Sequence, residues 1–286
     1  MSKLSRAIVA LAASAAVALS LTACAPAQSE VSPEASPEAS SETLQTITEG
    51  KLTIGTGLPA YEPWVVGDAP ESGEGFEAAV AYAIAAELGF APEDVIWVRT
   101  TFDEAIAPGA KNFDFNLQQY SITEERKAAV DFSSPYYLTT QTVITIAGSP
   151  AEGATSIADL QGLLIGAATG TTSLSAIENV IKPTAGAQAF NSNDDAKAAL
   201  AAGQVDAIVV DLPTAFYLTA VELEGGKILG QLEGAEAGDS FGLVLDKGSP
   251  LTARVSAAVD ALRANGTLAA IEAKWLAEYA GAPVLK

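Results

Sequence analysis

Residues 113–137 read FDFNLQQYSITEERKAAVDFSSPYY. Phe113, Phe115 and Leu117 alternate with polar residues, the two-residue period of a strand. Thr123 followed by Glu124 and Glu125 is the pattern of a helix start, with a capping hydroxyl and acids in the first turn. A strand that runs into a new helix turns free backbone N–H groups outward, which makes a seat for a small anion. Arg126 falls in that first turn, and its planar fork suits a carboxylate. The competing reading of the same stretch is a surface helix whose Arg126 pairs with Glu124 or Asp131.

On the N-terminal side, Leu52–Gly57 reads as a strand ending on Gly55 and Gly57, where backbone approaches something closely. Tyr61 and Trp64 follow in a proline-containing loop. Phe76, Val80, Ile84 and Leu88 recur every fourth residue and predict a helix over 76–88. Val95–Thr100 is a second strand and Phe102–Ala107 a short helix. This βαβαβ order predicts a parallel sheet with helical crossovers.

On the C-terminal side, Thr142–Ala147 is a strand, and Ser156 with Asp159 forms a capping box. Leu163–Ala167 leads as a strand into Gly170-Thr171-Thr172-Ser173 and a helix over about 173–181. Asn193 is expected to cap a helix reaching Ala202. Asp206–Val210 is a buried strand ending at Asp211, before a helix over Pro213–Glu222. Ser240–Leu245 is a last strand. Helices over about 251–264 and 267–279 come after it, separated at Asn265-Gly266.

The expected architecture is α/β: two parallel-rich α/β lobes, one inserted in the other, joined by two hinge strands near 137–141 and 236–241. Residues 47–138 plus 240–286 form the first lobe and 139–239 the second. Ligands of open α/β sheets bind beyond the carboxyl ends of the strands. That places Gly57–Trp64, Phe102, Gln118–Arg126, Thr169–Ser173 and Asp211 around one cleft.

The chain carries 15 Lys+Arg against 35 Asp+Glu, a net charge of −20 over 286 residues. Such acidity argues against nucleic acid and against adhesion to anionic lipid. There is no histidine, which excludes a histidine triad, a histidine-ligated metal and a histidine pH switch. The single cysteine excludes an intramolecular disulfide. No metal or cofactor is expected, and the protein reads as a monomer.

At the N-terminus, Lys3 and Arg6 precede an apolar run, Ala7–Leu19, too short to span a bilayer comfortably. Leu21-Thr22-Ala23-Cys24 then matches the bacterial lipoprotein signal. Residues 1–23 are read as a signal peptide and Cys24 as the lipidated mature N-terminus, the alternative being an ordinary signal peptide. Residues 24–46, rich in Ala, Ser, Pro and Glu, are expected to be a disordered tether to the outer face of the cell membrane.

The run Ser121–Arg126 followed by Val130–Tyr137 resembles the polar-amino-acid-binding family of solute-binding proteins from bacterial ABC importers. Further marks stand in that family's order. They are Leu52–Gly57 with Tyr61 and Trp64, Gly75-Phe76-Glu77, Asp159–Gly162, Gly170–Ser173, Gly203–Ala207 with Asp211, and Asn265-Gly266-Thr267. The resemblance covers roughly residues 50–280 and implies a two-lobed periplasmic-binding-protein-like fold. It implies an extracytoplasmic protein that captures an amino acid and delivers it to an ABC transporter permease.

The resemblance also implies roles for single residues. Arg126 holds the ligand carboxylate, helped by the backbone N–H groups of Ser121 and Thr172 in the Thr171–Thr172 turn. Asp211 and the Gln119 carbonyl hold the ammonium, and Tyr61 and Phe102 stack on the aliphatic part. Trp64 reads rather as a core aromatic. Asp211 has a competing role as cap of the helix after it.

Some members carry an aspartate, which receives basic or amide side chains, where this chain has Leu58, and glutamine-binding members carry a lysine where it has Ala168. Gln118 and Gln119 replace small residues. The lack of a charged partner for a ligand side chain favours a neutral ligand. Other readings remain open. One is an enzyme of the same fold that dehydrates a cyclic acid, with Asp211 or Glu77 as its acid. The others are a ligand-sensing receptor module that signals through a separate partner, and a polyamine or sugar site, which Arg126 disfavours.

Overall fold

The computed structural model describes residues 44–232, 239–277 and 281–286. The segments expected to be the signal peptide, the lipidated Cys24 and most of the tether lie outside the described residues, and the unit described is Leu44–Lys286. Its first half runs β1 (Leu52–Gly57), α1 (Phe76–Glu87), β2 (Val95–Thr100), α2 (Phe102–Ile106), β3 (Phe115–Asn116), α3 (Glu124–Ala129), β4 (Asp131–Phe132) and β5 (Tyr137–Thr139). Then come β6 (Gln141–Ile146), α4 (Ile157–Leu160), β7 (Ile165–Ala168), α5 (Thr172–Ala176), β8 (Gln188–Phe190), α6 (Asn193–Ala201), β9 (Ala207–Asp211), α7 (Leu212–Tyr217) and β10 (Gly226–Leu232). The last part holds β11 (Asp239–Phe241), β12 (Val244–Leu245), α8 (Thr252–Ala264), α9 (Thr267–Trp275) and β13 (Val284–Leu285).

The strands form two large sheets and one small one. The first lobe has the order β2-β1-β3-β12-β4 and the second β13-β10-β6-β9-β7-β8. As expected from the βαβαβ order, β1 is parallel to both β2 and β3. Both sheets are mixed, because β12 runs antiparallel to β3 and β6 runs antiparallel to β9 and β10. The separate pair, β5 antiparallel to β11, falls within the two segments expected as hinge strands, of which 236–238 lie outside the described residues.

In the second lobe, β6 and β9 are covered on both faces. Val143 and Val209 point into one apolar cluster with Ile165 and Ile177, and Ile144, Ile208 and Val210 into another with Leu200 and Leu218. Alternate residues face opposite sides, so two buried faces need the continuous apolar run seen in the sequence. The first lobe packs α1, α8 and α9 against its sheet through Val80, Ile84, Val255, Val259 and Leu268. Trp64 belongs to this core, edge-on to Phe76, Tyr137 and Phe241. Gly75, at φ +103°, is obligatory there, since a Cβ would lie 2.4 Å from the Trp64 carbonyl oxygen.

Several elements depart from the sequence expectations. The helices foreseen over 173–181 and 213–222 each end in a π-helical turn, Ile177–Ile181 and Leu218–Glu222. Ser192, not Asn193, caps α6, its side chain accepting from the Asp195 N–H at 3.1 Å. The strand expected over 240–245 is split into β11 and β12, which join different sheets. The end of the chain leaves the first lobe, to which the sequence pattern assigns all of 240–286. Val284 and Leu285 pair with Gln231 and Leu232 of β10.

Candidate functional site

Between the lobes lies a cavity of about 160 Å³. That is below the range of about 300–1,000 Å³ typical of drug-sized ligands and suits a small molecule. From the first lobe it is lined by the loop after β1 (Leu58, Pro59, Tyr61), the start of α2 (Thr101, Phe102), the loop after β3 (Gln118, Gln119) and Arg126. From the second it is lined by the turn after β7 (Thr169, Thr171, Thr172, Ser173), the loop after β8 (Asn191, Ser192, Asn193) and Asp211. Each contribution comes after the carboxyl end of a strand or opens the helix beyond it, as the α/β rule requires. Ser121 stands behind the wall, its hydroxyl 3.2 Å from that of Thr172.

Arg126 is set by its helix start. Thr123 caps α3, accepting from the Arg126 N–H at 3.1 Å. The guanidinium donates to the Ser121 carbonyl at 2.7 Å and across the cleft to the Gly170 carbonyl at 2.8 Å. It also lies 5.2 Å from the centre of the Phe102 ring. A guanidinium has five N–H donors, so donors remain for a ligand. The surface-helix reading does not describe this residue, because Glu124 pairs with Lys127 and Asp131 with Lys247.

Asp211 ends β9 and stands at the cap position of α7, but its side chain makes no capping bond. One oxygen instead accepts from the Gln141 amide at 2.9 Å. Burial, then the neighbouring Asp239 carboxylate, push its pKa up to about 8; the Gln141 bond and Arg126 act in the opposite sense. An added cation beside Asp211 would favour its ionised form.

Gln119 has φ +52°, a left-handed conformation uncommon outside glycine. Glu77 of α1 holds it there. One carboxylate oxygen accepts the Gln119 backbone N–H at 2.8 Å and the other its side-chain amide at 2.5 Å, with the Tyr136 hydroxyl as a further donor. Burial raises the Glu77 pKa to about 7, against the pull of these hydrogen bonds. Glu77 therefore fixes the loop that lines the cavity.

Thr171 spends its hydroxyl on the turn, capping α5 and donating to the Ala168 carbonyl at 2.7 Å. Tyr61 reaches across the cleft to Asp194 at 3.1 Å. Burial and that carboxylate raise the Tyr61 pKa, so the phenol stays protonated. Trp64 bridges the lobes from within the core, donating to the Thr214 hydroxyl at 3.0 Å.

Seven residues singled out in the sequence thus share the cavity wall: Tyr61, Phe102, Gln119, Arg126, Thr171, Thr172 and Asp211. Sequence reasoning missed Thr101, Asn191, Ser192 and Asn193 as lining, placed Gln141 and Asp239 only in the hinge strands, and gave Glu77 a part only as a family mark and as the acid of the enzyme reading. The polar Asn-Ser-Asn run at a strand end was the available signal for the β8 loop. Among the described residues no group of three metal-ligating side chains comes together.

Residues 52–278 match the bacterial extracellular solute-binding proteins, family 3. The chain belongs to that family. This family 3 member is 31% identical to the L-arginine-binding protein of Pseudomonas aeruginosa, over 76% of its own length and 84% of the relative's. It is 28% identical to the ABC transporter glutamine-binding protein of Bacillus subtilis, over 73% and 76% of the two chains. Among solved structures, an ancestral arginine-binding protein bound to glutamine superposes with a TM-score of 0.67 at 31% identity, covering 80% of this chain and 99% of the other. The solute-binding protein is thus an extracytoplasmic amino-acid-binding component of an ABC importer, with the two-lobed α/β fold of its family.

Proposed function

We propose that this receptor closes its lobes on an uncharged, polar L-amino acid, with Arg126 receiving the carboxylate and Asp211 the ammonium. The observation that carries the reading is the distribution of charge around the cavity. Among the described residues, Arg126 from one lobe and Asp211 from the other are its only basic and acidic lining side chains, and the rest of the wall is apolar, hydroxyl or amide. A zwitterion satisfies both charges at once and bridges the lobes. A basic or acidic ligand side chain would need a further counter-charge, and Leu58 and Ala168 occupy the positions where the resemblance would put one. Towards the edge strands β2 and β8, Thr101, Asn191, Ser192 and Asn193 offer hydrogen bonds to an uncharged polar group such as a carboxamide. Tyr61 and Phe102 supply rings along the way.

Binding without chemistry is the simplest use of such a site. Both oxygens of Glu77 are engaged in holding Gln119, and Asp211 is committed to charge recognition. Delivery is then by docking of the closed form on a permease, with the receptor held at the membrane by a lipid on Cys24.

The test is a thermal-shift screen of the twenty proteinogenic amino acids, followed by titration calorimetry. An uncharged polar amino acid should stabilise most; L-glutamine, for which the Bacillus subtilis relative is named, is tried first, although this chain has Ala168 where glutamine-binding members carry a lysine. Strongest stabilisation by arginine, lysine or glutamate would overturn the neutral-ligand reading, and no stabilisation by any would overturn the amino-acid reading. Turnover of a cyclic acid such as prephenate would make the protein an enzyme.

A further inference from the structure

Gln141 opens β6, immediately beyond the hinge strand β5, and is 2% exposed. It is aligned with Asp211 on the neighbouring strand. Its amide nitrogen donates to Asp211 at 2.9 Å and to the Asp239 carboxylate of β11, and lies 3.3 Å from the Thr172 hydroxyl. Its amide oxygen accepts from the Ser173 hydroxyl at 2.5 Å. The Thr172 hydroxyl in turn donates to Asp239 at 2.9 Å. An amide nitrogen has two hydrogens, and here two carboxylates stand on them.

We propose that Gln141 is a positioning residue for ligand capture: its one amide keeps Asp211 aimed as the ammonium receptor while tying it to the Thr172–Ser173 turn and, through Asp239, to the hinge. The proposal rests on Asp211 being that receptor. Two carboxylates side by side disfavour each other's ionised form, and a donor shared between them offsets that repulsion. Without the amide, Asp211 is left beside Asp239 with nothing between them. The receptor then loses the charge or the aim that an ammonium needs. The same amide connects both sides of the second-lobe wall to β11. The hinge pair and the ammonium seat are therefore one hydrogen-bonded unit, and a change at either is transmitted to the other.

The test compares wild type, Gln141→Met and Gln141→Glu by calorimetry. The probes are the twenty L-amino acids, each with its des-amino acid. Gln141→Met keeps the side-chain length and removes both hydrogen-bonding functions. Gln141→Glu keeps the shape and exchanges the donor for a third acid. Wild type should prefer the amino acid to its des-amino partner. In both variants that preference should shrink by about tenfold or more, the effect of losing a hydrogen bond to a charged group. Adding Asp239→Asn to Gln141→Met removes the competing carboxylate and should restore part of the preference. It also relieves the buried charge should the single variant fail to fold. If the variants lose affinity for both members of a pair equally, Gln141 is only a structural residue and the proposal fails. An undiminished preference overturns it too. If wild type itself shows no preference, or binds none of the probes, the Asp211 reading fails first and takes the proposal with it.

Discussion

Arg126 and Asp211 are held by contacts that leave their charges directed at one small volume. Truncating one member of a buried, hydrogen-bonded charge pair costs about 2–5 kcal/mol, a loss of about thirtyfold to several thousandfold in affinity. Arg126→Ala and Asp211→Asn should each weaken L-glutamine binding on that scale by calorimetry. A wild-type affinity in Asp211→Asn would remove it from the site. Proton linkage gives a second expectation. Burial in the closed cleft and the neighbouring Asp239 carboxylate push the Asp211 pKa up to about 8, so below that pH the closed, unliganded protein carries a proton there that the ligand ammonium must expel. Binding should therefore release a proton, and affinity should fall by up to about tenfold per unit as the pH drops below 8. Titration at pH 6 and pH 8 checks the sign; Asp211→Asn should flatten the profile. Arg126 was legible in the sequence because a helix start and a guanidinium sit together in one local run. Gln141, Asp239 and Glu77 were not. Their importance lies in contacts across 31, 98 and 42 residues of chain, which no local pattern carries.

The elements show the same division. β1 and β2 were readable to the residue, and the caps at Thr123 and Ser156 hold as expected, because period and capping chemistry are local. The shift of the α6 cap from Asn193 to Ser192 reflects two competent cap residues in succession, between which only the backbone of the β8 loop decides. β8 and β10 escaped notice because Gln188-Ala189-Phe190 and Gly226–Leu232 are partly exposed and contain polar or glycine positions. The loops at the cleft mouth carry a testable element of their own. Tyr61, in the loop after β1, and Asp194, in the first turn of α6, form a bond that exists only when those two elements meet. Tyr61→Phe keeps the ring and deletes the bond. If it removes about 1 kcal/mol from the closed form, apparent affinity should weaken about fivefold. Stopped-flow measurement should assign the loss to faster release, and an unchanged release rate would show that the bond plays no part in retention.

Over the whole molecule, the lobes meet through Tyr61–Asp194, Trp64–Thr214, Ser121–Thr172 and Arg126–Gly170, and are strapped by the β5–β11 pair. Nearly all of these contacts are side-chain hydrogen bonds of surfaces that water can also satisfy, the kind of interface that opens and closes. Small-angle scattering should give a smaller radius of gyration with saturating L-glutamine than without it; identical curves would mean a static pocket. The placement of the two ends of this unit bears on how such motion is tracked. Leu44 packs on the first-lobe core and Ile47 donates to Asp114 beside β3, whereas β13 is zipped to β10 and the Lys286 carbonyl accepts from Ile157 of α4. The chain therefore enters on one jaw and leaves on the other. A donor dye near Leu44 and an acceptor after Lys286 would ride on opposite jaws, so energy transfer between them would turn the receptor into an optical gauge of its own cargo.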